Sequence, residues 1–186
     1  EALKSLEIGG IVYRAVSEPL IYVAMLDALA RDTPRALILS ALALLVLLFL
    51  DFRSMRSVAL VLVPLITGLA VMVGAMALVP IRLNFLNAIV LPSMLGLSVD
   101  GGVHLYHRIQ ERGVSELGAI MRGTGGAVAI CTLTSLLGFA GMLLADHPGL
   151  RSIGLLALIG LLGGLFGALV ILPALVVSFG TEDEDG

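Results

Sequence analysis

SIGLLALIGLLGGLFGALVILPALVVSFGT, residues 152–181, contains no Asp, Glu, Lys or Arg. At 1.5 Å per residue, a helix of this length crosses the roughly 30 Å hydrocarbon core of a bilayer, which takes about 20 apolar residues. Four other stretches lack these charges, at 36–50, 57–81, 83–99 and 123–145. Those at 57–81 and 123–145 are long enough unaided. The run at 36–50 suffices if Phe52 and the stem of Arg35 lie at the interfaces, and the one at 83–99 if its helix continues past Asp100. The expected fold class is therefore all-α, a polytopic transmembrane bundle of five helices over residues 34–180.

Composition agrees with lipid as the solvent. The 186 residues are 59% hydrophobic and 13% charged, about half the roughly 25% charge of soluble domains, and the mean hydropathy is +1.08. Most soluble enzyme classes are excluded. A net charge of -3, with Lys and Arg scattered singly, gives no electrostatic footprint for nucleic acid. Cys131 is the single cysteine, and His104, His107 and His147 are too dispersed for a zinc constellation, so neither metal nor cofactor is expected. The connections between runs are too short for a nucleotide-binding domain and no GxxxxGK phosphate loop occurs. An ATP-driven pump would need its motor on another chain.

Residues 1–33 differ in kind. IVYRAV, residues 11–16, suggests a strand, and Ser17 and Pro19 suit the start of a helix running to about Arg31, with Pro34 at the entrance to the first apolar run. This segment is expected to be the end of an external, periplasmic α/β domain. The first apolar run begins only after thirty-odd mixed residues, so no signal peptide is expected, and a chain opening on Glu1 reads as part of something longer. Arg53, Arg56, Arg108, Arg112 and Arg122 fall in two connections on one side. Arg82 and Arg151 fall in the loops of the other, with Arg31 and Arg35 ahead of the first run. The positive-inside rule then puts the N-terminal segment outside and the acidic tail TEDEDG, residues 181–186, in the cytoplasm.

In so apolar a chain the remaining polar residues are informative. The third run gathers Asn84, Asn87, Ser93, Ser98, Asp100 and His104, with Pro92 ahead of the acid. An ionised carboxylate near the bilayer centre costs about 2.5–3.5 kcal/mol on insertion scales, which makes Asp100 a candidate proton carrier. His104, at i+4, shares its face. The alternative is structural: Asp100-Gly101-Gly102 would also stop a helix, with Gly101 as a left-handed cap and Asp100 at the cytoplasmic interface. Both readings stand on the residues alone. The fourth run offers Thr132, Thr134 and Ser135, which either bond back to their own helix or partner a buried carboxylate, the face of Thr132 and Ser135 being the candidate. Gly160/Gly164 and Gly163/Gly167 are GxxxG pairs suited to close helix packing, and Pro64 and Pro92 suit kinks or hinges.

RLNFLNAIVLPSMLGLSVDGGVHLYHR, residues 82–108, resembles the tenth transmembrane helix of the resistance-nodulation-division (RND) superfamily, in its branch of MMPL-type exporters. That branch includes hopanoid transporters and is related to Patched and sterol-sensing proteins. LFLDFRSMRS, LVPLITGL, TGGAVAICTLTSLLGFAGMLLADHPGLRSIG and VILPALV extend the resemblance, in order, over the family's eighth to twelfth helices. The resemblance implies a twelve-helix transporter with two large external domains, of which this chain is the C-terminal membrane portion. It implies that Asp100 is a proton-relay acid and that Thr132 and Ser135 lie on the adjacent helix whose hydroxyls accompany it; these two and His104, one turn after the acid, are the candidate relay partners. Related sequences often carry a second acid or a Tyr directly after the first; Gly101 stands here, so His104 or a group in the other half would have to compensate.

The function implied is proton-motive-force-driven export of hydrophobic or lipid-like molecules across the inner membrane, by a secondary transporter and not an enzyme. The alternatives are a non-pumping lipid- or sterol-sensing module and an RND-type accessory of protein export. Expected partners are membrane lipids, the lipid-like substrate and the N-terminal half of the same transporter, with a homo-oligomer left open.

Overall fold

The computed structural model describes residues 5–8, 11–14, 18–78 and 90–180. Two short strands, β1 (Ser5–Ile8) and β2 (Ile11–Arg14), pair antiparallel with Ser5 opposite Arg14 and Ile8 opposite Ile11. The strand expected in IVYRAV is β2. The rest is helical: α1 (Glu18–Phe52), α2 (Met55–Val61), α3 (Val63–Leu78), α4 (Val90–Arg112), α5 (Leu117–Ile120), α6 (Gly126–Gly141), α7 (Pro148–Phe166) and α8 (Leu172–Gly180). Single π-helical stretches, Met121–Gly125 and Gly167–Ile171, run α5 into α6 and α7 into α8. Ser17, Asn84, Asn87, the Pro80-Ile81-Arg82 corner and the acidic tail lie outside the described residues.

Among the described residues three stretches are long and apolar enough to cross a membrane, Ile21–Phe52, Val114–Leu144 and Pro148–Phe179, and the bent pair α2–α3 makes a fourth if taken as one span. Five were expected. The fifth expected run, 83–99, is not among them; its residues 83–89 lie outside the described residues and its remainder is the first part of α4.

Two proline positions behave differently from one another. Between α2 and α3 the chain bends by 41° at Leu62, two residues ahead of Pro64, which has no N–H to donate and whose ring disturbs the preceding turn. Pro34, expected at an entrance, lies inside α1, which runs through it unbroken. The carbonyl it deprives of a donor sits in a stretch already polar, where Arg31 Nε donates to the Asp27 carbonyl at 3.1 Å and Arg35 faces Asp32 at 3.9 Å. A helix of 35 residues is about 52 Å long, so its first turns extend beyond a hydrocarbon core of about 30 Å.

The glycine pairs of α7 form a seam against α3. A Cβ on Gly68 would lie 2.7 Å from the Gly160 carbonyl oxygen and 3.2 Å from the Gly164 nitrogen, and one on Gly167 would lie 2.9 Å from Pro64 Cα. Only the absence of side chains lets the two backbones meet, which is the packing reading of GxxxG. α4 docks on the α2–α3 corner in the same way: a Cβ on Gly102 would lie 2.7 Å from the Val61 carbonyl oxygen. Around this corner Val61, Leu105 and Leu172 are fully buried, while α1 turns Ile38, Leu39, Leu42 and Leu47 outward, as a lipid-facing helix does.

Candidate functional site: a cavity beside the polar helix

α4 passes through Gly101 and Gly102 without a break. The only glycine with positive φ among the described residues is Gly113, at φ 78°, whose N–H reaches the Ile109 carbonyl at 2.8 Å and ends α4 there. The expected alternative of a helix stop at Gly101 is thus corrected. Gly101 and Gly102 serve close packing instead, Gly102 on the Val61 carbonyl and Gly101 against Val128 of α6, to which a Cβ would come within 2.9 Å. Asp100 stands near the middle of α4.

Asp100 is exposed on the surface of this chain, not enclosed by it. It lines a cavity of about 760 Å³ between α4, the π-helical turn and α6, together with His104, Thr132 and Ser135. All four residues singled out in the sequence meet here, along with Thr124 and Cys131. Leu97, Val128 and Leu161 supply apolar wall. At one end the wall is charged, and those charges are paired: Arg108 with Glu111 at 2.8 Å and Arg112 with Glu116 at 3.5 Å.

Thr132 Oγ1 donates to the Val128 carbonyl at 2.9 Å and Ser135 Oγ to the Cys131 carbonyl at 3.3 Å. Thr134 does the same, 2.7 Å from that Cys131 oxygen. The hydroxyls therefore bond back to their own helix, the first of the two alternatives, and what they retain for a neighbour is lone pairs. Among the described residues, neither the Asp100 nor the His104 side chain makes a hydrogen bond or ion pair. No group of His, Cys, Asp and Glu among those residues is arranged to hold a metal ion.

Two features escaped the sequence. His107 lines the cavity and its Nε2 lies 2.8 Å from Asp51 Oδ2 at the end of α1, with the imidazole stacked on Phe52 at 4.4 Å between ring centroids. One residue earlier, Tyr106 meets the edge of Phe52 and shares a buried hydrogen bond of 3.1 Å with Ser57 of α2. Adjacent Asp51-Phe52 and Tyr106-His107 are visible as dipeptides, but nothing local shows that they face each other. Ser98, between Leu97 and Asp100 on α4, is 6% exposed and its hydroxyl has no hydrogen-bond partner among the described residues.

An apolar helical bundle with a polar helix at its centre, its acid facing a cavity, defines a multi-pass membrane domain. The model of the MMPL family matches residues 9–184, and the chain belongs to that family, in agreement with the RND/MMPL-type transporter resemblance of the sequence. It is 31% identical over 160 residues, 86% of the chain, to the hopanoid transporter HpnN of Rhodopseudomonas palustris. It is 30% identical over 137 residues, 74% of the chain, to the hopanoid transporter HpnN of Burkholderia multivorans. A membrane protein of Methanocaldococcus jannaschii is 32% identical over 142 residues, 73% of the chain. The chain spans 18% and 15% of the two transporters and 37% of the archaeal protein.

Proposed function

We propose that this chain is the C-terminal membrane portion of a proton-motive-force-driven exporter of hydrophobic or lipid-like molecules, with Asp100 as its proton carrier. The observation that carries the proposal is the position of Asp100, mid-helix on α4 and facing a cavity shared with His104, Thr132 and Ser135. Thr132 and Ser135 offer lone pairs, which suit a protonated carboxyl that donates, while His104 can take or give a proton. Loss and gain of the charge would shift α4 against α6, and the ties from Tyr106 and His107 to α1 and α2 would carry that shift towards the outer side. A proton crossing about 100 mV releases about 2.3 kcal/mol, enough for roughly a 50-fold gradient. The HpnN relatives are hopanoid transporters, which favours a lipid-like substrate here.

The reading includes five membrane crossings, with α4 and the residues before it as the polar one. It takes the β1–β2 hairpin and the first turns of α1 as the end of an external domain over residues 1–33. The N-terminal segment is periplasmic, the C-terminus cytoplasmic and the membrane the inner one. An N-terminal half of the same transporter would cover the exposed Asp100; the 186 residues alone would not transport, and a homo-oligomer is compatible with all of this. The test is Asp100→Asn in the full-length protein. Export sensitive to an uncoupler should be lost; if it persists unimpaired, Asp100 is not the carrier.

A non-pumping lipid-sensing module is the second reading, and one observation favours it: the cavity hydroxyls are already bonded to their own backbone. It requires lipid binding that is indifferent both to the proton gradient and to Asp100→Asn.

A further inference from the structure

The buried apolar side chains form two clusters. One holds Val58 and Val61 of α2, Leu105 of α4, Ile120 of α5, and Leu172 and Val176 of α8; the other holds Met72 of α3, Leu136 of α6, and Leu156, Ala157 and Leu161 of α7. Polar and backbone contacts tie each together. Around the first, Tyr106 bonds Ser57, His107 faces Asp51, and Arg56 donates to the Phe179 carbonyl of α8. Around the second, the glycine seam holds α3 to α7, and a Cβ on Gly154 of α7 would lie 2.7 Å from the Phe139 carbonyl oxygen of α6. Among the described residues, three helical stretches pass from one cluster to the other, and each is interrupted. α2 and α3 are bent by 41° at Leu62, α5 joins α6 through the π turn Met121–Gly125, and α7 joins α8 through the π turn Gly167–Ile171. Leu65, just past the bend, still belongs to the first cluster, and Leu69 touches both.

The interruptions meet at one level. A Cβ on Gly102 would come within 3.1 Å of Pro64 Cγ, and one on Gly167 within 2.9 Å of Pro64 Cα; Gly101 meets both Val128, three residues past the first π turn, and Ala168 inside the second. A π turn is compliant because its bonding has alternatives. The Leu172 N–H bonds the Gly167 carbonyl, five residues back, and the Gly126 N–H is shared between the carbonyls of Met121, five back, and Gly123, three back. Passing between such patterns changes a partner and strands no backbone group, as a membrane interior requires. α4 crosses the level unbroken. Beyond it, Ser98 does not tie α4 to α7: its hydroxyl, beside Gly164, has no hydrogen-bond partner among the described residues, and a cavity of about 10 Å³ lies there. We propose that the three interruptions form a single flexing plane, about which α1, α2, α4 and α8 tilt as one unit against α3, α6 and α7. Asp100 sits at this plane, next to Gly101. The 16 residues of α3 are about 24 Å long, so a tilt of about 10° moves its far end by about 4 Å. This inference does not rest on Asp100 carrying a proton.

The test uses the full-length protein in lipid, with its native cysteines replaced and pairs of spin labels read by double electron–electron resonance. Leu39 of α1, Leu78 of α3 and Leu137 of α6 are 60% exposed or more and take the labels. Leu39–Leu78 spans the two units, whereas Leu78–Leu137 stays within one and shares a label with the first pair. The Leu39–Leu78 distance distribution should be the wider by about 4 Å or more, the displacement of one such tilt. Two variants remove the interruptions. Pro64→Ala returns an N–H donor and lets α2 and α3 join, and deletion of the exposed Val170 takes the surplus residue out of the second π turn. Each should narrow Leu39–Leu78 towards the width of the control pair and leave the control unchanged. Equal widths in the two pairs before either alteration overturn the plane. An excess width that Pro64→Ala and the deletion leave intact overturns the assignment of the movement to these interruptions, and Pro64→Ala alone decides this if the shortened chain does not fold.

Discussion

Replacing Gly68 by Ala tests the helix seam on which the cavity wall depends. The new methyl would lie 2.7 Å from the Gly160 carbonyl oxygen, short of an ordinary 3.4 Å contact by about 0.7 Å, and 3.2 and 3.3 Å from the nitrogen and Cα of Gly164. All three obstructing atoms are backbone, so no side chain can rotate away and α3 and α7 must separate. Overpacking of this kind costs about 1–3 kcal/mol. The matched control is Gly74→Ala on the same helix, where a Cβ meets nothing within 4 Å. Both variants share the gain of about 1 kcal/mol from replacing a helical glycine, so their difference isolates the clash. With a shift of about 2–4 °C per kcal/mol, Gly68→Ala should unfold some 2–12 °C below Gly74→Ala in mild detergent, followed by far-ultraviolet circular dichroism. Equal midpoints would refute backbone contact between α3 and α7 at this point.

Two contacts of the lower half of α4 give further tests. Tyr106→Phe leaves the buried Ser57 hydroxyl without its 3.1 Å partner and should destabilise by about 1–3 kcal/mol, whereas adding Ser57→Ala should recover part of that loss; strictly additive losses in the double variant would contradict the pairing. The His107–Asp51 pair is part exposed, 41% and 48% for the two side chains, so a double-mutant cycle with His107→Ala and Asp51→Asn should give a coupling of only about 0.2–1 kcal/mol. A coupling of zero would remove this tie between α1 and α4.

Much of the bundle is written in charge-free runs, because exclusion of Asp, Glu, Lys and Arg follows from the solvent and not from any partner. The limits of that signal appear at α4, whose polar residues, Asp100 among them, interrupt the charge-free run. Pro64 bends its helix as a proline should, while Pro34 does not end one, since a membrane-edge helix tolerates a lost hydrogen bond near water. The Gly160–Gly167 pattern marked a packing face without naming α3 as its partner. Gly101 looked like a cap because a glycine after an acid fits one locally; its use against Val128 is a tertiary contact that no local pattern contains. For the same reason four candidate site residues could be chosen by type and helical face, whereas the His107–Asp51 pair and the unpartnered Ser98 hydroxyl required the packed chain.

The most direct test of Asp100 as the proton carrier is proton movement itself. Full-length protein, wild type and Asp100→Asn, is reconstituted in liposomes with a lipid-like substrate and a pH-sensitive dye inside. Wild type should move protons in a substrate-dependent manner down an imposed gradient, and Asp100→Asn should bind substrate yet move none. Equal substrate-dependent proton flux in the two proteins would contradict the account.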